Sequence, residues 1–300
     1  MSSGPVSRTD CFNQRLPALD AKDMTYKSVQ ASSETTKLAV PPLILRHVPT
    51  KQFSDLADST LQRSSLTDPI ATTFSQLTLE SESDLVKASL LYAIHPIMEI
   101  LNVIYPNKWT VHTELNDKAS RSKLESLEDP ATKQTEFVVR YDLVFKSTAQ
   151  HANPDKTIAV LEYKRRELIR YNDFTLAMIS DSAQPSEIHA LKKQNRQQKT
   201  VLKMNGISYC KQVCRYAQIS DCKHVALFNW QNLLLFNFDR LSASRDGNDS
   251  DNKSLFTAGD EAKISWVREE GPSTGFMEQG LIRKVLLGWL LKAYDDFERN

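Results

Sequence analysis

The spacing of apolar and polar positions changes several times along this chain, and the changes mark out its elements. Over residues 81–104, Leu85, Ala88, Ser89, Tyr92, Ile97, Ile100 and Leu101 recur at helical spacing after a Ser-rich, acidic start that includes Glu82. Pro96 predicts a kink or a division of that helix, because it lacks the amide hydrogen that a helix interior uses. Pro106 closes the element, and residues 109–115 then alternate as a strand does. After a polar linker over 116–134, two more strands are expected at 137–145 (FVVRYDLVF) and 157–164 (TIAVLEYK). Between them lies a polar stretch with Asn153, Pro154 and Asp155, which is turn chemistry suited to a hairpin.

Downstream, residues 168–178 form an ambiguous segment, helical or lid-like, that ends in a break at 180–185. Ser186 and Glu187 start a polar helix, Gly206 marks its end or a bend, and residues 207–219 continue as a second helical piece. Residues 225–228 and 233–238 flank Asn229 to Asn232 as a strand hairpin. A solvated loop is expected at 246–253, a strand at 264–267, and an amphipathic helix at 276–297 that packs Trp289 and Leu290 on the body. The pattern is that of an α/β fold, a central mixed sheet flanked by helices.

Composition changes this picture at the front of the chain. Residues 1–77 are rich in Ser, Thr, Asp, Lys and Pro with one compact apolar cluster at 43–45, so they are expected to be largely disordered, leaving one domain over 78–300. The formal net charge of +1 announces no strongly basic protein. Its distribution says more, since between Glu162 and His224 twelve Lys and Arg stand against six Asp and Glu. For Lys192, Lys193, Arg196, Lys199 and Lys203 taken singly, a solvated helix face is an equally good account.

Cys11, Cys210, Cys214 and Cys222 are too few and too unevenly placed for a disulfide scaffold, and with His224 they match no standard zinc spacing, so buried thiols are expected. No apolar run is long enough for a membrane span or a signal core, which leads to the expectation of an intracellular protein of nucleus or cytoplasm.

The candidate chemistry lies on the paired strands. Residues two apart on a strand share a face, so Glu162 and Lys164 project together while Tyr163 points away, and Asp142 comes from the neighbouring strand. Two carboxylates, a backbone carbonyl and waters make the all-oxygen shell that Mg²⁺ prefers, and a lysine alongside can assist a nucleophilic water. An exposed Glu-Lys pair on an edge strand needs no such role. What favours chemistry is that these charges follow directly on Ile158 to Leu161, a run suited to a strand buried on both faces, where charge is costly unless it is paired or binds a metal.

Asp142 followed by Glu162-Tyr163-Lys164 on consecutive strands resembles the PD-(D/E)xK nuclease superfamily, with Tyr141 at the position where the motif's name has proline. Gln212-Val213-Cys214-Arg215-Tyr216 is similar to the QxxxY motif of its RecB-like members. The resemblance covers about residues 81–239, and the overall texture is also similar to uncharacterised fungal proteins with a nuclease-like domain. It implies a restriction-endonuclease-like core, with Asp142, Glu162 and the Tyr163 carbonyl as Mg²⁺ ligands and Lys164 serving the attacking water. Gln212, Tyr216 and nearby basic residues would engage DNA, and Glu82 falls where many members place a further acid, though an ordinary capping or first-turn role is the better account of it. The function expected is metal-dependent hydrolysis of DNA phosphodiesters. The alternative is a catalytically silent nuclease-like domain that binds nucleic acid, or a protein partner through the N-terminal segment.

Overall fold

The structure, a computed structural model, describes residues 6–18, 20–21, 39–63, 69–70, 78–79, 81–118, 138–148, 156–239, 256–257 and 260–299. A short helix α1 (Arg8–Phe12) is followed by strand β1 (Ile44–His47) and helix α2 (Lys51–Arg63). Helix α3 (Glu82–Ser89) passes through a π-helical turn, Leu90–Ile94, into α4 (His95–Ile104). Three strands come next, β2 (Trp109–Lys118), β3 (Val138–Ser147) and β4 (Thr157–Tyr163), and then the short β5 (Met178–Ser180). Helices α5 (Pro185–Gln198) and α6 (Met204–Ile219) precede β6 (His224–Phe228) and β7 (Asn232–Asn237). The chain closes with β8 (Glu261–Arg268), β9 (Met277–Gln279) and α7 (Ile282–Glu298).

These strands form one nine-stranded mixed sheet in the order β5, β1, β8, β7, β6, β4, β3, β2, with β9 also pairing with β8. β4 is antiparallel to β3 and parallel to β6, and every one of its residues is buried. A strand covered on both faces has no polar side to present, which is why Ile158 to Leu161 run without alternation. Alternate residues of β4 serve opposite layers. Ala159, Leu161 and Tyr163 join a core with α2, α3, α4 and α7, whereas Val160 joins one with α6. The sheet is thus sandwiched between two helical layers.

Part of residues 1–77, a segment expected to be largely disordered or loosely attached, belongs to the sheet and its covering layer. Ile44 and Leu45 are fully buried, and β1 sits inside the sheet between β5 and β8, parallel to both. Helix α2 buries Phe53, Ala57 and Leu61 against α7, where a Cβ on Gly288 would overlap the Phe53 carbonyl. Four residues of β1 are too short a run to stand out in the sequence, because the slot they fill is built from strands more than a hundred residues away.

Pro96 divides the long helix as expected, but by a different device. The helix widens to π geometry just before it, and His95 donates its amide to the Leu90 carbonyl. Proline cannot donate to the carbonyl four residues back, Tyr92, and that oxygen instead accepts from Arg283 Nε at 2.6 Å. Arg283, buried on α7, also donates through Nη1 to the Cys11 carbonyl. Glu269 completes the fastening. One of its carboxylate oxygens accepts the Leu16 amide at 2.7 Å, and the other takes the Ile282 amide at 2.9 Å, capping the N-terminus of α7 with negative charge.

Elsewhere the boundaries move. Residues 168–178 contain two 3₁₀ turns, Tyr171–Asp173 and Thr175–Ala177, and then the start of β5, so the segment is helical only in short turns and ends in the sheet. α5 ends at Gln198 and α6 begins at Met204, which places Gly206 inside α6 rather than at a bend. Glycine is needed there because a Cβ would collide with the Asp173 carbonyl. The closing helix starts at Ile282 instead of residue 276, since Met277–Gln279 pair with β8, and it buries Trp289 and Leu290. Cys11, Cys210, Cys214 and Cys222 are all free and buried, and burial pushes the Cys222 thiol up to about 12. The turn at 153–155, most of the linker at 116–134 and the loop at 246–253 lie outside the described residues. Among the described residues, no helix is long and apolar enough to cross a membrane.

Candidate active site

β3 and β4 are paired so that Leu143 faces Leu161 and Val144 faces Val160, and one further step along that register sets Asp142 opposite Glu162. Directly opposed residues share a face, and this face is the one covered by α6. Asp142 Oδ2 accepts the Tyr163 amide at 2.8 Å, which holds the carboxylate against the end of β4. The Tyr163 ring goes to the opposite layer, where its hydroxyl donates to Ser89 Oγ at 2.9 Å. The period of two therefore separates the tyrosine from its two charged neighbours. Lys164 lies just beyond the strand, anchored by its amide to the Phe228 carbonyl at 2.9 Å.

The side chains then form a short chain of polar contacts. Glu162 Oε1 accepts from Lys164 Nζ at 2.6 Å and from Gln212 Nε2 at 2.7 Å. Gln212 Nε2 also donates to the Tyr216 hydroxyl oxygen at 2.7 Å, and that hydroxyl donates to the Arg140 carbonyl at 3.1 Å. Gln212 and Tyr216 are four residues apart on α6, so one helix face delivers both. The Tyr216 ring meets Tyr141 edge-on, with centroids 5.0 Å apart. Lys164 Nζ also lies 5.5 Å from the centre of the Tyr209 ring, one α6 turn before Gln212, in a cation–π arrangement. Glu162 Oε2 is different: it is buried and has no hydrogen-bond partner.

Electrostatics show why that oxygen matters. Burial, reinforced by the nearby Glu162, pushes the Asp142 carboxyl up to about 7 in spite of the Tyr163 amide and Lys164. Glu82 is likewise raised by burial and by Glu162, while Lys164, Arg165 and Arg140 pull it back. Burial works against the charge on Lys164, but the contact with Glu162 and the fields of Glu82 and Asp142 outweigh it, and its amine ends above the ordinary value. Three acids thus crowd one ammonium in a poorly solvated place, a combination that calls for further positive charge.

A pH dependence follows. The folded protein binds a proton at Asp142 more tightly than the unfolded chain, whose aspartate titrates near 3.8. The stability this contributes is fully present below that value and is lost as pH rises through about 7. Urea unfolding in EDTA should show the stability of wild type relative to Asp142→Asn falling over that window. A difference that stays flat with pH would mean that Asp142 titrates as an ordinary carboxylate.

All the residues expected from sequence converge here: Asp142, Glu162, Lys164, Gln212 and Tyr216, with the Tyr163 backbone beside them. Tyr209 was missed, although its spacing of three from Gln212 places it on the same helix face. Glu82 is an acid of the first turn of α3, as expected, while the capping box is formed by Ser81 and Asp84. Of the basic residues on α5, Lys192 and Arg196 lie within ion-pair distance of Asp260.

Among the described residues no cluster of three or more His, Cys, Asp or Glu side chains is arranged to hold a metal. A hard cation would accordingly take two carboxylates, Asp142 and Glu162, with the Tyr163 carbonyl and water. The unsatisfied Glu162 Oε2 and the all-oxygen donor set fit Mg²⁺, which commonly binds through one or two carboxylates and keeps several waters. In sequence, the chain matches no protein-family model and no curated protein.

Proposed function

We propose that this chain is a Mg²⁺-dependent phosphodiesterase that cleaves DNA. The observation that carries the reading is Glu162 Oε2, a buried carboxylate oxygen left without a partner next to Asp142 and Lys164. Leaving a buried carboxylate oxygen unpaired costs about 1–3 kcal/mol or more, a cost that a cation shared with Asp142 would relieve. Asp142 and Glu162 would hold the cation, which would supply Lewis acidity and lower the pKa of a water.

The protein's own groups do the rest. Lys164, kept protonated by Glu162, holds positive charge where the attacked phosphoryl group gains negative charge. The contact with Glu162 and the Tyr209 ring fix the amine in place, so little reorganisation accompanies the reaction. Gln212 and Tyr216 tie Glu162 to the backbone of β3 and keep the carboxylate in register with Asp142.

End-labelled single- and double-stranded oligodeoxynucleotides incubated with the protein should be cut in Mg²⁺ or Mn²⁺ and remain intact in EDTA. Calorimetry should show Mg²⁺ binding to the wild type. Metal binding and DNA binding without any cleavage would favour the silent nuclease-like domain, and an absence of Mg²⁺ binding would leave the charged strand ends as a purely structural pairing.

A further inference from the structure

The three acids around Lys164 cannot receive a nucleic acid unaided. When ionised, Glu82, Asp142 and Glu162 carry three negative charges, and the one ammonium among them, Lys164, is engaged with Glu162 at 2.6 Å. A phosphate backbone approaching this cluster is repelled unless other cations stand at its border.

Two exposed guanidinium groups are positioned there. Arg140 lies on β3 two residues before Asp142 and hence on the same face of that strand, and its carbonyl is fixed by the Tyr216 hydroxyl at 3.1 Å. Arg165 follows Lys164 directly, where β4 has already ended. The charges of both reach the Glu82 carboxyl, so both border the acid cluster. A guanidinium also presents a planar fork of donors that matches phosphate oxygens.

We propose that Arg140 and Arg165 form a phosphate clamp that grips the DNA backbone at the phosphodiesters next to the one cleaved. The inference rests on the nuclease reading for its substrate, and it goes further by naming the two residues that make an acidic site accessible to a polyanion. They are positioning residues that act on the backbone without reading base sequence.

The test measures binding separately from turnover. Fluorescence anisotropy with a labelled duplex oligodeoxynucleotide, in EDTA and across a salt series, compares full-length wild type with Arg140→Gln, Arg165→Gln and the exposed control Arg63→Gln. Each clamp variant should lower the magnitude of the slope of log K against log salt by about 0.9, which at 0.1 M salt is about an eightfold weaker affinity. The Arg→Lys variants should recover most of the slope, which a merely structural role would not predict, and the control should match wild type. If wild type cleaves DNA with Mg²⁺ but the Gln variants keep its slope, the clamp is wrong and the nuclease reading stands. If the slope depends on the two arginines but no metal supports cleavage, the clamp stands and the catalytic reading falls. If wild type neither binds nor cleaves DNA, both fall.

Discussion

Replacing Lys164 by Ala is expected to lower Mg²⁺-dependent DNA cleavage by about a hundredfold to a thousandfold, the usual effect of removing one preorganised charge or donor at a reacting centre. Asp142→Asn and Glu162→Gln should be at least as damaging, because each removes one of the two carboxylates proposed to hold the metal between β3 and β4. Stability should move differently. Asp142→Asn relieves a carboxyl that burial and Glu162 already hold up to about 7, so this variant should unfold at the same or higher urea concentration than wild type at pH 8 in EDTA. A variant that is more stable yet inactive separates chemistry from folding. Single-turnover cleavage on excess enzyme, measured beside urea unfolding, checks both halves. Cleavage undiminished in Lys164→Ala or Asp142→Asn would falsify the assignment of the site.

The largest effect on stability is expected at Arg283, far from these acids. Arg283→Met keeps much of the side-chain bulk but leaves the Tyr92 and Cys11 carbonyls without their donor and removes the positive charge near Glu269. Removing one member of such a buried polar group costs about 3–5 kcal/mol. Urea denaturation should show a loss of that size, and limited proteolysis should begin to cut within residues 8–18, whose polar contacts with the domain include those to Arg283 and Glu269. Arg63→Met, at the exposed end of α2, should stay within about 0.5 kcal/mol of wild type. An Arg283→Met protein as stable as that control would show that the two carbonyls find other partners.

How much of this was legible in the sequence depended on how local each cause is. The unbroken run Ile158 to Leu161 announced a strand covered on both faces, and the period of two correctly put Glu162 and Lys164 on one side with Tyr163 on the other. The spacing of four between Gln212 and Tyr216 placed both on one face of α6. What stayed hidden were partnerships between distant segments. Nothing near Pro96 indicates that the carbonyl it leaves free will be met by Arg283, and nothing in Ile44 to His47 indicates a slot between β5 and β8. Glu82 was legible as a first-turn acid but its nearness to Lys164 was not, and the spacing of Tyr209 gave its helix face without showing that its ring would lie beside Lys164.

The position of β1 also governs when the molecule can be completed during synthesis. This strand emerges from the ribosome early, yet one of its neighbours is finished only at Ser180 and the other only at Arg268. Until then Ile44 and Leu45 have nowhere to bury, and the nascent polypeptide must keep them from sticking elsewhere, a task that chaperones commonly take on for late-closing sheets. Beginning translation at residue 78 would not simply shed a tail. It would cut the three-residue edge strand β5 off from the sheet and leave residues 261–264 of β8 with an unpaired rim open to the first extended peptide that arrives.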